Sequence, residues 1–286
     1  MERASYLIKL SRPRFWFYLA GPIVVAVAYA ADGPADLITP ATVALFLYFV
    51  GPANVYLYGI NDLFDTEIDA TNPKKGDKEV HYTGQGFVPV IVIASGLAVF
   101  GLFPLVDRGA WPWLLLYAAL ATEYSAPPFR FKTTPVLDSI SNGLYILPGV
   151  AAYVTVAGTQ PPLTIIVGAW LWAMAMHTFS AIPDIEPDRR AGIDTTATVL
   201  GERWAFGYCI AVWAAAAIAF GIEDVRAGVV IGLYAVIAAG LLTSEVPVDR
   251  AYWWYPYLNT GIGAGLTLWA LIHAVPPSAV LPPAFG

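Results

Sequence analysis

The sequence predicts an all-α, polytopic membrane protein with nine transmembrane helices in a single domain, residues 1–286. Composition is the first reason. Hydrophobic residues make up 58% of the chain and charged residues only 13%, against about 25% charged in an average soluble domain. The second reason is that the apolar residues gather in runs near the roughly 20 that a helix needs to cross a bilayer. The third is the placement of the cations between those runs.

The nine segments follow in order. The first, 15–31, comes after the basic stretch "SRPRFW" and reads as a retained helix rather than a cleaved signal. The second, 39–60, opens after the Pro- and Gly-rich turn "ADGPADLITP" and runs into an acidic cluster. The third spans 87–106. The fourth, 110–126, has the shortest clean core, because Pro112 and Glu123 cut into it; dropping it would leave eight spans and put the two acidic clusters on opposite sides of the membrane. The fifth and sixth, 138–157 and 162–182, flank the short turn "AGTQPP". The seventh, 204–222, carries the lone cysteine, Cys209, which has no internal partner for a disulfide. The eighth and ninth are 227–243 and 252–273. With the N-terminus inside, thirteen Lys and Arg fall in inner segments and only Arg108 and Arg226 outside. This positive-inside bias requires all nine segments. It places the termini of the long loops 61–86, 127–137, 183–203 and 244–251 on the cytoplasmic face of a cell membrane.

Most of the tryptophans and tyrosines near predicted helix ends, such as Trp16, Trp111, Trp253, Trp254 and Tyr257, read as interfacial anchors. The net charge of −6 is modest, and the acidic and Arg-rich inner loops suit a salt-adapted organism. No His or Cys spacing suggests zinc or haem, no Gly-rich loop would cradle phosphate, and nothing points to nucleic acid. His81 reads as a surface loop residue and His273 as interfacial.

Two inner clusters carry the chemistry. In "NDLFDTEID", a helix continued from segment two puts Asn61, Asp65 and Asp69 at i, i+4 and i+8, on one face with Asn54 and Tyr58, with Asp62 beside it. In "PDIEPDRRAGID", Asp184 and Asp188 repeat the spacing of four, His177 lies two turns earlier, and Pro187 ends or bends the helix. Like charges at i, i+4 destabilise a helix by a few tenths of a kcal/mol, and they make sense around a cation. Mg²⁺ takes carboxylate oxygens and bridges to substrate phosphates. One acidic loop would read as solvated chain. Two with the same spacing, at membrane exits on one side, argue for a site. Between them "YSAPPFRFKTTPVLD" sets Tyr124, Arg130 and Lys132 in an inner loop, where Arg and Lys neutralise phosphate. The positive-inside rule alone would also explain those cations, and topology anchoring explains Arg12 and Arg14 as well as substrate binding does.

These residues resemble the UbiA-type intramembrane prenyltransferases. That family's N-x-x-x-D-x-x-x-D motif is matched by Asn61, Asp65 and Asp69, with Asp62 completing an "ND" opening, and its D-x-x-x-D motif by Asp184 and Asp188. The resemblance covers nearly the whole chain and implies a nine-helix bundle around a central cavity. The loop "NPKKGDKEVHYTG" lacks the "RP" of many relatives. With "SRPRFWFYLAGP" it is similar to the archaeal lycopene elongases, which extend a carotenoid on the way to C50 pigments. The resemblance implies Mg²⁺ held by Asp62, Asp65, Asp69, Asp184 and Asp188. Arg130, Lys132 and Arg12 would bind the prenyl diphosphate, Asn61 would assist coordination, and Tyr124 would bond the diphosphate or face the allylic cation. The acceptor would be lycopene, prenylated from dimethylallyl diphosphate with or without hydration. Other members would act on a quinone precursor, a haem or geranylgeranylglyceryl phosphate. A cation transporter, the alternative of another class, would put acids in mid-span, and here they stand at inner ends.

Overall fold

The computed structural model describes residues 3–65, 80 and 82–274. Asp69, Lys74, Lys75, Lys78 and His81 lie outside the described residues. Among the described residues the chain is helical throughout, without strands. Helix α1 is Arg3–Leu10 and α2 is Trp16–Ala30, reached through a 3₁₀ turn at Pro13–Phe15. Then come α3 (Pro40–Val50), α4 (Pro52–Phe64), α5 (Phe87–Leu97), α6 (Trp111–Glu123) and α7 (Leu147–Ala157). The last four are α8 (Leu163–Ala181), α9 (Glu202–Glu223), α10 (Val225–Leu242) and α11 (Tyr255–Ala274).

Six helical stretches are long and apolar enough to cross a membrane: Pro13–Ala30, Pro34–Phe64, Leu137–Ala157, Leu163–Ala191, Glu202–Glu223 and Val225–Leu242. They match the first, second and fifth to eighth predicted segments. The other three are helical but fall short by this measure, so nine is not reached among the described residues. The third is a 16-residue apolar helix, Phe87–Leu102. The fourth, α6, has only 13 residues, Trp111–Glu123, with Pro112 in its first turn. The ninth, α11, is long but diluted by Tyr, Asn, Thr and Gly.

The second predicted span is broken. Gly51 and Pro52 interrupt it between α3 and α4, since proline has no N–H to continue the ladder. In lipid every freed carbonyl needs a partner. The fully buried Asn54 supplies it: its amide donates to the Phe49 carbonyl at 2.6 Å and to that of Val50 at 3.3 Å. The Tyr117 hydroxyl donates to the Ala53 carbonyl at 3.2 Å. Asn54 therefore serves the break and not the acidic face on which the spacing placed it.

A second irregularity lies before α7, where Leu137–Ile140 passes through a 3₁₀ stretch, Ser141–Ile146. The Trp170 indole lies on this backbone over Gly143, where a β-carbon would sit 1.9 Å from the ring, and its N–H donates to the Ile140 carbonyl at 2.9 Å. One turn on, Gly149 lets α7 close on α2: a β-carbon there would stand 2.8 Å from the Pro22 carbonyl oxygen. Small residues at such contacts let helices approach where lipid supplies no hydrophobic drive.

Helix α2 also packs on α3 and α11, α4 on α5, α6 on α7, α8 on α9 and α9 on α10. Three apolar cores result, the first around α2, α3, α4, α6 and α7, the second around α8, α9 and α10, and a smaller third between α1, α4 and α5. In the second, Tyr255 stacks on Phe179 at 4.3 Å and faces Trp213 at 5.9 Å. On α10 Ile231, Tyr234 and Ala238 turn inward, while Val229, Leu233 and Val236 are exposed on the face that lipid would cover.

Candidate active site

Helix α4 ends at Phe64, so Asp62 sits in its last turn and Asp65 caps it, its N–H on the Asn61 carbonyl at 3.0 Å. Both carboxylates are buried, Asp62 at 2% and Asp65 at 6% exposure. A buried carboxylate is costly unless paired. Arg12 reaches Asp62 at 3.2 Å, with its guanidinium 4.7 Å over the Tyr58 ring. Asp65 is held by Arg130 at 3.2 Å and by Lys132. The Asn61 amide donates to Ser125 Oγ at 3.2 Å. Three cations thus converge on two carboxylates, and the Arg130 Nε is buried without a hydrogen-bond partner among the described residues. The excess of positive charge suits a polyanion.

Both arginines stand in the left-handed backbone region, Arg12 at φ 49° and Arg130 at φ 43°. Each precedes a 3₁₀ turn, Pro13–Phe15 or Phe131–Thr133. Arg14, two residues from Arg12, goes elsewhere: it lies 3.5 Å over Trp253 and donates to that residue's carbonyl at 2.7 Å. It ties α2 to the segment before α11. On α1, burial and the nearby Asp62 carboxylate raise the Tyr6 phenol to about 12.

The second cluster keeps its spacing by another route than a continued α8. That helix stops at Ala181, a 3₁₀ turn covers Ile182–Asp184, and a new short helix, Ile185–Ala191, carries Asp188. Pro187 lies in its first turn, where proline is tolerated, so it neither ends nor bends it. Gly192, at φ 68°, stops the helix instead. Arg189 donates to the Thr198 carbonyl at 2.8 Å, docking the short helix on Thr196–Leu200, which Thr195 caps. Asp184 and Asp188 are half-buried. The short helix Val248–Tyr252 packs on the Ile182–Asp184 turn.

Tyrosines line the interior beside these groups. Tyr18 stands edge-on to Tyr145 at 6.1 Å, and Phe15 lies 6.3 Å from Tyr58. Tyr124 accepts the backbone N–H of Lys132 on its carbonyl at 3.0 Å. It meets the His177 ring edge-on at 6.0 Å. Sequence reasoning missed Tyr145 and the fully buried Asp138, which faces His177 at 3.5 Å. An acid at the mouth of an apolar span was the available signal. Among the described residues no group of three His, Cys, Asp or Glu side chains is gathered to hold a metal ion. Asp62 and Asp65 are hard oxygen donors of the kind that hold Mg²⁺ when one or two carboxylates share it with substrate phosphates and water, so the donor set fits. A separate groove of about 530 Å³ runs between α2, α10 and α11, floored by Gly261 and Gly265 and ending at Arg226 and Trp269.

Comparison with known proteins converges on one family. The model for the UbiA prenyltransferase family matches residues 19–275. A lycopene elongase/hydratase of Haloferax volcanii is 59% identical over 96% of this chain and 91% of its own length. One from Halobacterium salinarum is 54% identical over 94% and 98%. Among solved structures, a UbiA homologue from Archaeoglobus fulgidus bound to DMAPP and Mg²⁺ superposes with a TM-score of 0.74 at 20% identity, covering 93% of this chain and 99% of that one.

Proposed function

The chain belongs to the UbiA prenyltransferase family and is a multi-pass membrane prenyltransferase, and we propose that it transfers a dimethylallyl group to lycopene, with water captured, toward C50 carotenoids. The observation that carries this reading is the closure of Arg12, Arg130 and Lys132 on Asp62 and Asp65 beside a tyrosine-lined interior. The elongase/hydratase relatives at 54–59% identity favour lycopene as acceptor. In this reading the three remaining helices complete nine spans, with the N-terminus and both acidic motifs cytoplasmic.

Mg²⁺ on Asp62, Asp65 and Asp69, with Asp184 and Asp188, would withdraw charge from the diphosphate. The chain's own residues do the rest. Arg130, Lys132 and Arg12 bind the diphosphate and neutralise the charge that builds as it leaves. Asn61 assists at the same helix end. Tyr124, with Tyr58 and Tyr145, presents ring faces that stabilise a cation and keep bulk water out.

The test is a product assay in membranes carrying the protein, with Mg²⁺, lycopene and dimethylallyl diphosphate, read by mass spectrometry. Lycopene should gain five-carbon units. A parallel reaction supplies geranylgeranyl diphosphate with quinone-precursor and glyceryl-phosphate acceptors. Transfer only there would keep the family and overturn the acceptor.

A further inference from the structure

Asp138 is held more firmly than a structural carboxylate at a helix start requires. It accepts the Thr196 N–H at 3.0 Å and the Thr196 hydroxyl, while its own carbonyl accepts the Asn142 amide at 2.6 Å. The Thr196 hydroxyl oxygen also accepts the N–H of Val136 at 2.8 Å. Val136 has φ 72°, a genuine outlier for a β-branched residue. Strain of this kind persists where surroundings fix it and gathers at functional sites. Thr196 thus holds both oxygens of the carboxylate, and the ring it faces is that of His177, with Nε2 3.5 Å from Oδ2.

His177 is mostly buried, its side chain 15% exposed. Its ring meets that of Tyr124, whose carbonyl accepts the backbone N–H of Lys132, a partner of Asp65. Diphosphate binding makes no use of it. A histidine whose Nε2 is turned to a fixed carboxylate keeps its proton there and presents Nδ1 as a base, and the carboxylate stabilises the imidazolium that forms.

We propose that His177 is the general base that makes the product an alcohol, with Asp138 as its positioning residue. The inference rests on the elongation reading above. The donor's C–O bond breaks and its electron pair leaves with the diphosphate. The π pair of the acceptor's terminal double bond forms the new C–C bond, leaving a tertiary cation. A lone pair of water forms the C–O bond, and the proton it sheds goes to Nδ1 and then to bulk water. Without this base the cation is quenched by losing a proton from a neighbouring carbon to the departing diphosphate, giving an alkene.

The full-length protein in membranes is assayed with Mg²⁺, lycopene and dimethylallyl diphosphate, and hydrated and anhydrous elongated products are counted by mass spectrometry. Total five-carbon transfer is measured in the same tube. Wild type should give mainly alcohol. His177→Gln should shift the alcohol-to-alkene ratio toward alkene at least tenfold, with total transfer within about threefold of wild type. Asp138→Asn should shift it in the same direction. His177→Ala should regain alcohol when imidazole is added, which a packing role would not allow. An unchanged ratio in His177→Gln, or wild type giving only alkene, would overturn the base. Wild type transferring nothing to lycopene would overturn the parent reading instead.

Discussion

Arg12 and Arg130 adopt the same left-handed backbone conformation, and each closes on one carboxylate at the end of α4, Asp62 and Asp65 respectively. An L-residue pays about 1–2 kcal/mol for that conformation. The fold accepts it twice at one place, which fits a site where cations must be aimed rather than merely present.

Replacing Arg130 separates aim from strain. Arg130→Ala and Arg130→Gly both remove the guanidinium, and each should lower kcat/KM about 10–100-fold, the worth of one charge-assisted bond. Only the glycine relieves the backbone. Arg130→Gly should therefore melt about 2–4 °C above Arg130→Ala, measured on the solubilised protein. A glycine variant melting below the alanine one would contradict the left-handed assignment.

The two N-terminal arginines should differ in kind. Arg12→Ala is expected to raise KM for the prenyl diphosphate about tenfold, because Arg12 stands on Asp62 within the cation cluster. Arg14→Ala removes a stack and a hydrogen bond on Trp253 and should lower the melting temperature while leaving KM within twofold. Steady-state kinetics beside a thermal melt decide it, and a reversed pattern would reassign the pair.

Metal dependence follows from the donor set. Chelation with EDTA should abolish turnover and added Mg²⁺ restore it, since a diphosphate beside ionised carboxylates needs a cation between them. Asp65→Asn and Asp188→Asn should each raise the Mg²⁺ concentration for half-maximal rate at least tenfold. Turnover that persists in EDTA would remove Mg²⁺ from the mechanism.

What was legible in the sequence was mostly what depends on local spacing and charge. Arg130 and Lys132 were readable as phosphate-neutralising cations in a loop between the two acidic clusters, but their joint closure on Asp65 was not. The pairing of Arg12 with Asp62 was open, because it turns on a backbone angle at residue 12 that only tertiary packing sets. Asp184 and Asp188 kept their spacing even though α8 ends first, since a second short helix restores the period. Asp138 went unread because it looked like the polar edge of an apolar segment, and its partner Thr196 is far along the chain. The Gly51–Pro52 break carried a turn signal, but the apolar residues on both sides outweighed it.

That break gives the last prediction. Asn54 is fully buried, and its amide is the donor that the Phe49 and Val50 carbonyls find in place of a ladder partner. Asn54→Leu keeps the volume and removes the donor, so those carbonyls face hydrocarbon. The cost should be about 1–3 kcal/mol, or a fall of several degrees in melting temperature. Because α4 carries Asp62 and Asp65 at its far end, a loosened break should also lower kcat, while KM for the diphosphate stays within threefold. Asn54→Asp offers the carbonyls no amide donor and should be no better than leucine. If either variant melts with wild type, the bend does not depend on Asn54, and α4 is aimed by its packing on α5, α1 and α6.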